Sequence, residues 1–204
     1  TGSGLRVFSK QPAHRALSLA GGWGLFVDLD GRDRYRSANF SQGHGYFFGL
    51  GVKLDLNGDD EHQAARYGHG TAAHFGVGLN IDYQGKDRYG SKGPFYNGGA
   101  AWDGSVALAV DGGPDSDFYD LPASTGLGMG DLGGWGLCIE EGGADQYAVG
   151  RGLGQGAEHS LGAFFDLEGR DDYSSVSPPA KGARPERLNG KTFIENPGSL
   201  FIDR

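Results

Sequence analysis

GLFVDLDGRDRY, residues 24–35, reads as an apolar strand running into a tight acidic turn, and nearly the same string recurs five times. GVKLDLNGDDEH starts at Gly51, GLNIDYQGKDRY at Gly78, ALAVDGGPDSDFY at Ala107, GLCIEEGGADQY at Gly136 and GAFFDLEGRDDY at Gly162. Aligned on the first acidic residue, the copies place Asp28, Asp55, Asp82, Asp111, Glu140 and Asp166 at successive spacings of 27, 27, 29, 29 and 26 residues. A near-constant period of this size is the mark of stacked supersecondary units, each burying its faces against its neighbours. A second glycine-rich string precedes each later copy: GHGYFFGLG from Gly43, GTAAHFGVG from Gly70, GAAWDGSVA from Gly99, GMGDLGGWG from Gly128 and GQGAEHSLG from Gly154.

Within the consensus G-h-x-h-[DE]-x-x-G-x-D-x-Y, where h is apolar, the period-2 alternation specifies strands. The apolar positions are expected inward: Leu25 and Val27, Val52 and Leu54, Leu79 and Ile81, Leu108 and Val110, Leu137 and Ile139, Ala163 and Phe165. Lys53 and Asn80, between them, are expected outside. Tyr35, Tyr89, Tyr119, Tyr147 and Tyr173, with His62 as the exception, form a further column suited to a stacked ladder. The expected fold is all-β, a six-coil solenoid of the parallel β-helix type. Its rival is an array of antiparallel hairpins turning at x-Gly dipeptides such as Asn57-Gly58. Keeping whole columns alike, the upstream glycines included, favours stacked coils. Residues 16–173 make the repeat region, residues 1–15 a cap or leader, and residues 174–204 a Pro/Ser/basic linker with a tail able to fold back on the open end.

The bulk composition narrows the partners. Forty glycines in 204 residues, with 12% aromatic content, suit a backbone-driven repeat rather than disorder. A net charge of -8 is unsuited to gripping phosphates, so nucleic acid is not expected. No apolar run is long enough to span a bilayer. The lone Cys138 excludes an intrachain disulfide.

Twelve carboxylates fall in two columns: the six named above, and Asp33, Asp60, Asp87, Asp117, Asp145 and Asp171. Stacked like charges require compensation. Either each Asp accepts turn N–H groups, or the columns bind calcium, a hard cation that takes carboxylate and carbonyl oxygens. The string GGADQY from Gly142 resembles half of an RTX nonapeptide, and this resemblance implies calcium as the cofactor. RTX repeats every nine residues, whereas this chain carries one acidic turn per 27 or so, and the resemblance therefore does not carry over the geometry of an ion shared between turns. Residues 16–173 look more closely like uncharacterised bacterial proteins of tandem G-h-x-h-D-x-x-G-x-D-x-Y units, a likeness that brings no activity with it.

For chemistry, the residues to watch are those that break the repeat. Tyr46-Phe47-Phe48, Ala73-His74-Phe75 and Trp102-Asp103-Gly104 occupy equivalent places in adjoining copies, so His74 and Asp103 share a column with Phe47. Parallel stacking would bring them within hydrogen-bonding reach, a pair suited to general acid/base work. Ser105 and Ser41 are candidate hydroxyl partners, and Tyr46, Phe47, Phe75 and Trp102 candidate ligand platforms. A zinc site from His44, His69 and His74 is a weaker candidate. Two functions are therefore expected to compete. One is a non-catalytic binding or structural module, extracellular or periplasmic, with glycan or protein partners and self-association through the solenoid ends. The other is a carbohydrate-active enzyme, a lyase or hydrolase, at His74 and Asp103.

Overall fold

In the computed structural model, residues 2–3, 21–151, 153–157, 159–176, 189–194 and 197–204 are described. The proposed cap or leader thus lies, apart from two residues, outside the described residues, as does most of the linker. The chain begins with β1 (Gly2–Ser3) and then repeats a long strand, a second strand and a two-residue strand. These are β2 (Trp23–Asp28), β3 (Arg34–Asn39) and β4 (Gly45–Tyr46), then β5 (Leu50–Asp55), β6 (Glu61–Arg66) and β7 (Ala72–Ala73). They continue as β8 (Val77–Asp82), β9 (Arg88–Gly90) and β10 (Ala101–Trp102), then β11 (Val106–Asp111), β12 (Phe118–Leu121) and β13 (Gly130–Asp131). The stack closes with β14 (Trp135–Glu140), β15 (Gln146–Val149), β16 (Leu161–Asp166), β17 (Thr192–Phe193) and β18 (Ser199–Asp203).

Like strands pair in parallel, coil on coil, in three sheets: the large sheet β18-β16-β14-β11-β8-β5-β2, a second sheet β15-β12-β9-β6-β3, and a short-strand sheet β1-β4-β7-β10-β13. Register is that of the sequence columns, so that Leu79 pairs with Val52 and Leu108, and Asp82 with Asp55 and Asp111. The fold is a parallel β-solenoid of about five turns. The sixth copy supplies β16 and a bridge at Asp172 but no second-sheet strand. Only β17 against β18 is antiparallel among the described strands, which excludes the hairpin array. The tail does return to the stack, with β18 adding a rung to β16.

The faces of the large sheet are the reverse of the expectation. In β5, Gly51, Lys53 and Asp55 are buried while Val52 and Leu54 are only part-covered, and β8, β11 and β14 repeat the pattern. Lys53 is 2% exposed and Asn80 likewise buried, whereas Leu25 is 71% exposed. Of the residues expected inward, only Ala163 is buried. The cause is thickness: a Cβ on Gly51 would lie 2.1 Å from the His44 carbonyl oxygen, and one on Gly78 1.9 Å from that of Thr71. The short-strand sheet presses directly on the glycine column, so glycine must face in, and period 2 then turns every h position outward.

The interior that remains is lined by aromatic and acidic columns. Tyr35, His62, Tyr89, Tyr119, Tyr147 and Tyr173 stack ring on ring with centroids 4.7 to 5.1 Å apart. Phe164 and Phe201 stack beside them, and Leu121, Leu127, Val149 and Leu153 complete the core.

Candidate functional site

The first acidic column closes the strands of the large sheet, and the second lies in the following turn, two residues before the tyrosine column. Both therefore converge on one corner of the coil. Four of the five tyrosine hydroxyls reach the first column or its continuation, Tyr89 being the exception: Tyr35 donates to Asp28 at 2.7 Å, Tyr147 to Asp166 at 2.9 Å, and Tyr119 reaches both Asp111, at 3.0 Å, and Glu140. Tyr173 likewise lies 2.6 Å from Asp166 and 2.8 Å from Asp203. A phenol has one proton, so each of these two hydroxyls can donate to only one of its carboxylates.

The second column forms a ladder. Oδ1 of Asp60 accepts the N–H of Asp33 at 2.7 Å, that of Asp87 the N–H of Asp60 at 2.7 Å, that of Asp145 the N–H of Asp117 at 2.7 Å, and that of Asp171 the N–H of Asp145 at 2.8 Å. Asp117 does the same for Asp87. The hydrogen-bonded-turn expectation thus describes this column. Across the two columns eight oxygens are left over: Oδ2 of Asp87, Asp145 and Asp171, Oδ1 of Asp111 and Asp166, Oε1 of Glu140 and both oxygens of Asp82 are buried without a hydrogen-bond partner.

Burial, and next the neighbouring carboxylates, push Asp87 up to about 9 and hold Asp111 and Glu140 well above the usual carboxylate range. Burial is also the main cause that raises Asp117 and Asp166 to about 8 and Asp145 to about 7. One coil differs. Lys53 Nζ sits 2.9 Å from Asp55 and 3.8 Å from Asp82, and against the opposing effect of burial it holds Asp55 below its ordinary value.

Among the described residues, four groups could hold a metal ion, each with one ligand atom per residue and all such atoms within 4.8 Å: Asp60–His62–Asp82–Asp87, Asp87–Asp111–Asp117, Asp117–Glu140–Asp145 and Asp145–Asp166–Asp171. Nine of the twelve aligned acids belong to them; Asp28, Asp33 and Asp55 do not. The sequence reading missed Lys53 as an internal cation and the phenols as carboxylate partners. The recurring step of seven residues, as from Asp28 to Tyr35 and from Asp166 to Tyr173, with eight from Asp111 to Tyr119, is the available signal for the latter.

His74 and Asp103 do meet, Nδ1 to Oδ2 at 2.6 Å, with the side chains 29% and 37% exposed. They stand on a corner where Phe47, Phe48, His74, Phe75 and Asp103 all adopt left-handed backbone, a conformation costly for residues other than glycine. Tyr46 and Trp102 pack on the imidazole with centroids at 5.1 and 5.2 Å, Phe47 lies at 6.0 Å, and Phe75 stacks on Phe48 instead. The carboxylate fixes the Nδ1–H tautomer, which leaves Nε2 as the basic nitrogen. Ser105 faces away: it is buried, and its hydroxyl accepts the Gly76 N–H at 3.1 Å. Ser41 is hydrogen-bonded to Ser37. His44, His69 and His74 engage Thr71, Gly90 and Asp103 separately and do not gather as a zinc site.

The molecule is thus a parallel β-solenoid with an acid–tyrosine spine inside and a histidine–aspartate pair on one corner. No family model, no curated protein and no solved structure matches the chain. Among the described residues, no helix is long and apolar enough to cross a membrane.

Proposed function

We propose that the protein is a non-catalytic binding and structural module that works outside the cytoplasm and presents a repetitive surface, with calcium as the ion its acidic columns take. The observation that carries this reading is the outer face of the large sheet. Every outward position of its seven parallel strands from β2 to β18 is Trp, Leu, Val, Ile, Ala or Phe. Trp23 is 90% exposed, and Trp135 and Val106 are also exposed. A solvated sheet face is ordinarily polar, and a contiguous apolar one marks an interaction surface. Its rung-by-rung order suits an extended glycan or a protein partner. β2 ends the large sheet among the described strands, which supports self-association through that end.

The test is a paired charge substitution on the face, Leu79→Lys with Leu108→Lys, assayed for polysaccharide and protein binding. Lost binding with an unchanged circular dichroism spectrum is expected. The enzyme reading rests on the 2.6 Å His74–Asp103 contact. Turnover of a polysaccharide that His74→Ala abolishes would replace the scaffold reading with it.

A further inference from the structure

We propose that the interior corner of the solenoid holds a file of divalent cations, one per coil, at Asp87–Asp111–Asp117, Asp117–Glu140–Asp145 and Asp145–Asp166–Asp171. The inference rests on the calcium part of the functional reading and adds to it where the ions sit, how many there are and why the file starts where it does.

Each coil brings one carboxylate from each column to the corner, two negative charges, and one divalent cation neutralises both. Glu140, Asp145 and Asp166 are buried members of these groups, and each keeps one buried oxygen without a hydrogen-bond partner. A buried ionised carboxylate left in that condition is far more costly than a paired one. The two-carboxylate contacts of Tyr119 and Tyr173 make the same demand, because the phenol that donates to one acid needs the other neutralised.

Lys53 shows how the chain answers that demand where it can. It is the one buried lysine or arginine among the described residues, and its ammonium lies between Asp55 and Asp82. The same inward position in the later coils is Asn80, Ala109, Cys138 and Phe164, none of which carries positive charge. The protein supplies its own cation at the first buried coil and none beyond it. The three groups that follow are built of carboxylates alone, a hard oxygen site. Ligand atoms within 4.8 Å of one another can be bridged by two calcium–oxygen bonds of about 2.4 Å. Asp117 and Asp145 each belong to two groups, so neighbouring ions share a ligand and the sites form one continuous file.

The test is calcium uptake by the chelator-stripped whole chain, read by calorimetry and by metal analysis after desalting. About three calcium ions per chain are expected, with a melting temperature that rises on calcium addition. Asp117→Asn keeps the Oδ1 acceptor of the backbone ladder and removes a ligand shared by two sites, so uptake should fall to one ion. Ala109→Lys places an ammonium where Lys53 has one, two coils on. It should lower uptake and make melting in chelator higher than that of the wild type. Asp59→Asn with Asp115→Asn alters exposed turn acids and should leave uptake unchanged. Uptake that survives Asp117→Asn and is lost with the Asp59/Asp115 pair would keep calcium and overturn the file. No uptake by the folded protein would overturn both, without touching the surface reading, whose assay is binding on the outer face.

Discussion

At the scale of single residues, the protein spends its burial on polar groups, and pH should reveal it. Burial holds the imidazoles of His44 and His69 down to about 3. An unfolded histidine titrates near 6.5, so between those values the unfolded chain binds protons that the folded one refuses. The stability is full above about pH 6.5 and is lost as pH falls toward 3. At pH 5 each histidine should cost about 2 kcal/mol relative to neutral pH. Because the buried acids titrate as well, the informative quantity is a difference. His69→Gln should be closer in stability to the wild type, or above it, at pH 5 than at pH 7, as read by denaturant unfolding. An equal difference at both values would mean that His69 is not buried neutral. The His74–Asp103 contact is legible in the sequence, because a shared column in stacked coils means adjacent rungs. The same logic could not show that Ser105 turns inward, since the side a residue faces depends on the path of the short strand.

At the scale of the strand, the period was legible and the face was not. The apolar-in rule presumes that the large sheet turns its hydrocarbon inward, whereas the inward positions of β5, β8, β11 and β14 hold mainly glycine, carboxylate and Lys53 or Asn80, and the aromatic and aliphatic core comes largely from the other parts of the coil. The residue that reports the buried side is the recurring glycine, which is needed wherever another backbone passes too close for a Cβ. This exchanges the expected effects of neighbouring substitutions. Leu79→Asp, on the outer face, should leave a soluble, cooperatively folding protein within about 1 kcal/mol of wild type, the range of most surface changes. Gly78→Val should fail to fold, because its first carbon would already lie 1.9 Å from the Thr71 carbonyl oxygen. Circular dichroism melting of the two variants settles the matter: a folded Gly78→Val beside an unfolded Leu79→Asp would restore the opposite facing.

At the scale of the whole molecule, the coils are identical enough that the ends need special treatment. In the tail, β18 continues the columns: Phe201 stacks on Phe164 at 5.5 Å, Asp203 lies 2.8 Å from the Tyr173 hydroxyl, and Leu200 and Ile202 extend the outer face. It is a seventh rung of the large sheet supplied by sequence that lacks the repeat motif, which is why periodicity alone could not place it. Antiparallel β17 then covers the far side of β18, where another parallel strand could otherwise add. A chain ending at Val176 would lose this cover, bare the hydrogen-bonding edge of β16 and strip one aromatic partner from both Phe164 and Tyr173. Loss of the Phe201 ring alone should cost about 3–5 kcal/mol, so Phe201→Ala is expected to melt well below the wild type. The truncated chain should in addition associate through its bared end, with an apparent mass in size-exclusion chromatography with light scattering that grows more steeply with concentration than that of the full chain. A truncated chain that remains monomeric and melts with the wild type would mean that β18 is an ornament of the stack and that the solenoid is closed at β16.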